Sequence, residues 1–369
     1  MSTARTSAAR ASPHLPWREG RSALVWFYLG VLGLLACLAC SWWQLTEVLN
    51  AYLLAWLFFL GLTLGSLGTL MMYELTGGEW AQPVKTCFEA ALAPLPLLVL
   101  LFIPLLLGMS HVFPWAGGSV ATARSIQSKV WYLNGAFFAI RATLILGVWL
   151  LLIWWWNRGR RRATVCSIGL VVYALSMTVA AVDWIGSLEP RWSSTALGLI
   201  VVTGQGLGAF AFAVCATAFA HPERLRAQCG DLGNLLLTFL MTWMYLAFMQ
   251  YLITWAEDLP RETVWYLPRL QTSWRYVALA VVIGQFALPF TLLLFRSIKR
   301  DPRRLAWIAG LLLVSHWLDI GWSVMPARHP LGLSLHWTAL APTVGVGGLW
   351  MAGWVWRVRQ LEVAGASAR

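Results

Sequence analysis

Apolar residues run along the chain in stretches of about twenty, separated by short segments rich in Arg, Gly and Pro. A helix of that length spans the hydrocarbon core of a bilayer, at about 1.5 Å per residue. Inside lipid the backbone must satisfy its own hydrogen bonds, so these stretches fold as helices. Alternating strands of about ten residues are absent, which argues against a β-barrel. The pattern predicts ten transmembrane helices, at 21–43, 51–73, 90–111, 130–156, 163–184, 193–220, 235–255, 277–295, 305–325 and 337–356. The chain therefore reads as an all-α integral membrane protein. A tail at 1–20 precedes the polytopic domain at 21–357, and a second tail follows at 358–369.

Orientation follows from Lys and Arg. With the N-terminus in the cytoplasm, nineteen basic residues fall in inside segments and seven in outside segments. Arg141 lies within a helix. This is a clear positive-inside bias, and it supports an even number of spans with both termini cytoplasmic. Trp154–Trp156 and Trp42–Trp43 stand at helix ends, as interfacial belts do. Gly61 with Gly65, and Gly204 with Gly208, have the spacing that lets helix backbones approach.

Composition agrees. Hydrophobic residues make up 59% of the chain and charged residues 11%. The net charge of +12 sits in short loops, where it sets topology, so nucleic acid is not the expected partner. The partner is the bilayer. Arg5, Arg10 and Arg18 precede an apolar run long enough to span, which reads as an uncleaved first helix and not a signal peptide. Cys37 and Cys40 form C-x-x-C inside an apolar helix, where Cys acts as a small hydrophobe. No C-x-x-C-H motif occurs, so no covalently bound haem is expected. His316 is the one convincing intramembrane His, which disfavours a bis-His haem as well.

Ionisable groups inside a membrane are costly and therefore functional candidates. Arg141 lies about eleven residues into its predicted helix, roughly 16 Å from the outer end. Its bland reading is a structural Arg. His316 and Asp319 stand three apart and share a helix face. An imidazole beside a carboxylate can pass protons near neutral pH; the bland alternative is an interhelical hydrogen bond. Asp319 lies about 9 Å from its outer helix end. Depth therefore predicts that Arg141 faces Asp319. Asp183 and Glu189 lie in an outer turn with Trp184 and Trp192, where Ser193, Ser194 or Thr195 can cap the next helix. His111, Tyr245, Gln250 and Asp258 fall on the same outer side. Glu74 is the main candidate on the cytoplasmic side, as a proton uptake point or a solvated acid.

Several ordered motifs carry a family resemblance. D-W-x-x-S-L-x-P-x-W-x-S-T spans Asp183 to Thr195. Leu75-Thr76-Gly77-Gly78 with Trp80, His111 with Pro114-Trp115, and Tyr132-Leu133-Asn134 with Phe137-Phe138 before Arg141 come earlier. Gln250-Tyr251, Trp255, Pro260 and Glu262-Thr263 come later. Pro289-Phe290, Arg296 and Lys299 follow, then Asp319, Trp322 and Met325-Pro326. Together these resemble ActF, the second NrfD-like membrane subunit of alternative complex III. The resemblance implies two four-helix bundles with a flanking helix at each end. It implies a quinol:cytochrome c oxidoreductase in which this subunit contributes a quinone pocket, a proton path or both. It also implies iron–sulfur and multihaem cytochrome c partners on the periplasmic side, and a second NrfD-like membrane subunit. The chain departs from the family at Tyr73 and Glu74, where a His pair is usual, at Thr86 beside Lys85, and at Gln285, where a His is usual.

The expected function is thus a cofactor-free subunit of a quinol-oxidising complex, with quinone or quinol as its ligand. A secondary transporter and a purely structural anchor remain as alternatives. Pro94, Pro96 and Pro104 would allow the broken helix that transporters use.

Overall fold

The computed structural model describes residues 20–117, 129–158, 162–333 and 340–367. Among them there is no strand, and eight helices are long and apolar enough to cross a membrane. Large apolar side chains such as Leu38, Trp42, Leu107, Leu175 and Trp307 are exposed on the outer surface. That surface suits lipid, because it needs no polar cover there. The predicted tail at 1–20 lies almost wholly outside the described residues.

Helix α1 (Gly20–Thr76) breaks at Gln44, whose φ of −140° and ψ of 51° are not helical. Its neighbours show that the break is a reversal. In the first half Ser22 receives a hydrogen bond from Arg359, and Gly30 and Gly33 lie against Leu349 and Gly345. In the second half Phe59 lies against Gly347, and Thr63 accepts from the Trp350 indole. Numbers fall along the last helix, α17 (Leu340–Ser367), in the first case and rise in the second. The two halves of α1 are antiparallel, with a sharp break in place of the loop predicted at 44–50.

The helix predicted at 90–111 is four short pieces: α2 (Lys85–Ala91), α3 (Leu95–Leu100), α4 (Ile103–Leu107) and α5 (Met109–Val112). Pro96 and Pro104 each sit in the first turn of a piece. A proline removes a donor and leaves a carbonyl without its helical partner. Two carbonyls at the breaks between these pieces are met from α1, by the Trp56 indole at Leu98 and the Tyr52 hydroxyl at Leu101, both at 2.8 Å. Trp56 then packs on Phe102 and Trp184, with ring centroids 4.8 and 5.0 Å away.

Helices α6 (Gly135–Arg158) and α7 (Arg162–Trp184) follow. Helix α8 (Leu197–Ala220) is capped by Ser194, whose Oγ accepts from the Ala196 and Leu197 amides. It packs against α1 and α7 on one side, and on the other against α10 (Cys229–Glu257) and α16 (Pro302–Val324). Short helices α9 (Pro222–Leu225), α11 (Pro260–Thr263) and α12 (Leu267–Gln271) lie in the connections. The helix predicted at 277–295 is interrupted. It comprises α13 (Trp274–Val281), a π-helical turn (Val282–Ala287) and α14 (Leu288–Leu294). Helix α15 (Arg296–Lys299) leads into α16, whose first turn is capped by the Asp301 carboxylate. Helix α17 runs well past its predicted end at 356, so the expected tail at 358–369 is mostly helical. Glu362 is held there by His221 and Arg224 at 3.4 and 3.7 Å.

Candidate functional site

Helices α8, α10, α13 and α16 enclose an apolar cavity of about 270 Å³. Trp192, Trp265 and Tyr266 line it from the connections. Phe248 and Tyr251 of α10 and Val282 of the π-turn line it and are also exposed outward, so it opens towards the lipid face. Its polar groups include His316, Asp319, Gln205, Gln250 and the indoles of Trp243 and Trp322. No Lys or Arg lines it.

His316 is 3% exposed, and neither ring nitrogen has a hydrogen-bond partner. The imidazole is seated on α8 by Gly204 and Gly208. A Cβ on Gly204 would come within 3.1 Å of its Cε1, and one on Gly208 within 2.7 Å of its Cδ2. The small-residue spacing read as helix packing is thus also the seat of the histidine. One turn on, half-buried Asp319 lines the same cavity. Gln285, fully buried on the π-turn, approaches Asp319 but closes no hydrogen bond of good geometry. A π-turn inserts an extra residue and re-aims the side chains around it.

Gln250 accepts a 2.7 Å hydrogen bond from Ser194, the residue that caps α8. Ser194 lines a second cavity, with Lys129, Tyr132 and Ser187. Trp192 and Leu197 line both cavities and form the partition between them. Lys129 fastens this region by donating to the carbonyls of Pro190 and Trp192 at 2.9 and 3.1 Å.

Arg141 does not face Asp319. Its Nε and Nη2 donate to Asp183 at 2.8 and 2.9 Å, and Nη1 donates to the Tyr132 carbonyl at 3.1 Å. The guanidinium also lies 3.8 Å from the Tyr132 ring centre and 4.3 Å from that of Phe137. Depth along the membrane normal favoured Asp319 over Asp183, which lies nearer the outer surface. Helix order decides between them, since Asp183 ends α7, the neighbour of α6. Burial, with Asp183 nearby, raises the Tyr132 phenol above the ordinary tyrosine range.

The other candidates are dispersed. Glu189 pairs with Arg191 in its own turn at 2.8 Å. His111 is exposed, with Nδ1 3.3 Å from the Thr46 hydroxyl. Glu74 pairs with Lys85 at 3.3 Å on the opposite side of the membrane domain. Asp258 is exposed and ends α10 at a left-handed φ of 46°. Tyr245 is 60% exposed and does not line the cavity, so it leaves the candidate set.

Sequence reasoning missed several groups. Trp243 looks like any core or belt tryptophan, and nothing in its neighbours marks its N–H. Arg269 is one of the seven basic residues counted to the outside, yet it is 2% exposed. It donates to the carbonyls of Trp265, Trp322 and Ser323 at 2.6, 3.0 and 2.7 Å, closing the end of α16. Its guanidinium lies 3.5 Å from the Trp265 ring centre, and Trp265 stacks on Trp192 at 4.1 Å. Burial pulls Arg269 down to about 9, opposed by the nearby Glu189 charge, which leaves it cationic at neutral pH.

Among the described residues, no three His, Cys, Asp or Glu side chains come together in a way that could hold a metal ion. No protein-family model matches the chain, and no curated protein matches it.

Proposed function

We propose that this multi-pass membrane protein is a quinone-binding subunit of a respiratory complex, in which the redox centres belong to partner chains. The observation that carries the reading is the apolar cavity lined by Asp319 and by His316, whose ring nitrogens have no partner. A quinone couples an apolar tail, which travels in the bilayer, to a ring that exchanges protons when it is reduced or oxidised. The cavity offers an apolar mouth to the first. To the second it offers an imidazole and a carboxylate, which are general acid–base groups.

The resemblance to NrfD-like subunits supports the same reading. It adds iron–sulfur and multihaem cytochrome c partners outside, and a bacterial inner membrane. The reversal in α1, together with α17, supports ten spans arranged as two four-helix bundles with a flanking pair. The transporter reading draws on the broken helix α2–α5. Two of its carbonyls are already occupied by Trp56 and Tyr52, which weighs against a substrate site there.

The test is photolabelling of the purified protein in nanodiscs by a photoreactive benzoquinone. Saturable labelling of α10, α13 or α16 is expected, falling at least about fivefold in His316→Leu if one charge-assisted or neutral hydrogen bond is lost. Non-saturable labelling, or labelling only outside the cavity, would defeat the reading. For topology, reporters fused after Arg162 and Arg300 are expected to read cytoplasmic, and those after Arg191 and Pro260 periplasmic. Any one of the four on the wrong side would break the ten-span arrangement.

A further inference from the structure

Trp243 is 4% exposed, and its indole N–H has no acceptor. It sits beside His316: a Cβ on Gly204 would lie 3.6 Å from Trp243 Nε1 and 3.1 Å from His316 Cε1. The two groups do not bond each other, since both are without a partner. They flank one notch, floored by a glycine, in a cavity whose other walls are mostly aliphatic and aromatic. An indole nitrogen only donates, so what enters this notch must bring an acceptor. Buried donors are rarely left unmet, because desolvating them without a partner is unfavourable.

We propose that Trp243 and His316 together hold one carbonyl oxygen of the ligand's ring, with Gly204 giving that oxygen its space. The inference rests on the quinone reading and adds a head-group residue that the sequence does not mark. The acceptor is a neutral carbonyl and not a phosphate or carboxylate. No Lys or Arg lines the cavity, and Asp319 does, so an anion would meet a carboxylate and no counter-charge. Trp243 donates to the oxygen at all times. His316 donates to the carbonyl oxygen through a protonated ring nitrogen, and its unprotonated nitrogen can accept only from the hydroxyl of the reduced, quinol form.

The experiment measures binding of a short-tail benzoquinone with ¹³C-labelled carbonyls, by titration and by infrared difference spectroscopy, in full-length protein in nanodiscs. Trp243→Phe keeps an aromatic ring and removes the N–H. It is expected to weaken binding roughly fivefold, the loss of one hydrogen bond. One carbonyl band should move to higher wavenumber as that bond disappears. Gly204→Ala places a methyl in the notch and is expected to weaken binding and move the same band, with Trp243 intact. If wild type shows no saturable binding, the quinone reading itself fails. If wild type binds, and Trp243→Phe leaves both affinity and bands unchanged, the quinone reading stands and this inference is overturned, with water meeting the indole instead. A shift caused by Trp322→Phe and not by Trp243→Phe would likewise overturn it.

Discussion

Arg141→Ala is expected to destabilise the protein by about 3–5 kcal/mol, since it strands a buried carboxylate. Asp183 is fully buried and receives two hydrogen bonds from Arg141. A guanidinium cannot shed its proton to escape burial, so Asp183→Asn alone is expected to be costly as well. The double variant Arg141→Ala with Asp183→Asn removes both charges and should recover most of the loss. Arg141→Ala with Asp319→Asn should recover none, because Asp319 is not the partner. Chemical unfolding in mild detergent reads all four. Equal rescue by the two double variants would contradict the pairing.

The second large effect is expected at Arg269. Arg269→Leu keeps an apolar stem but leaves the carbonyls of Trp265, Trp322 and Ser323 without their donor. Hydrogen bonds to charged groups contribute about 1.5–3 kcal/mol each, and water can replace some of them at the membrane edge, so a loss of about 2–3 kcal/mol is expected. The loss should be local. Amide exchange in the last turn of α16, before Met325, should accelerate, while exchange in α6 stays unchanged. Arg269→Lys should restore the charge but not the three-way fork or the stacking on Trp265. Unchanged exchange in α16 would show that Arg269 does not close that helix.

How much of this was legible follows from what a one-dimensional pattern can encode. Runs of about twenty apolar residues marked the spans, because lipid admits few other structures. The prolines of 90–111 marked a break, but not that Trp56 and Tyr52 would serve the freed carbonyls from another helix. Counting residues gives depth along the membrane normal and says nothing of direction around a helix, which is why Arg141 was matched to Asp319 and not to Asp183. The π-turn shifts the register by a residue inside a run whose one polar member, Gln285, does not by itself mark a π-turn. Asp319 and His316 were readable as costly polar groups at helical spacing. Trp243 was not, since its role depends on an N–H that only the packing of α8, α10 and α16 leaves unmet.

The first half of α1 has one further consequence, for the order in which the protein is made. Between Ser22 and Gln44 only Gly30, Gly33 and Cys37 are buried. The two glycines meet Gly345 and Gly348 of α17 at backbone contact. Small residues at such contacts are what hold helices together where lipid removes the hydrophobic drive. The first half of α1 therefore meets its glycine partner only once α17, at the far end of the described helices, has been made. A chain that lacks α17 leaves that glycine face without its partner. That contact closes only after every helix between the two has been made.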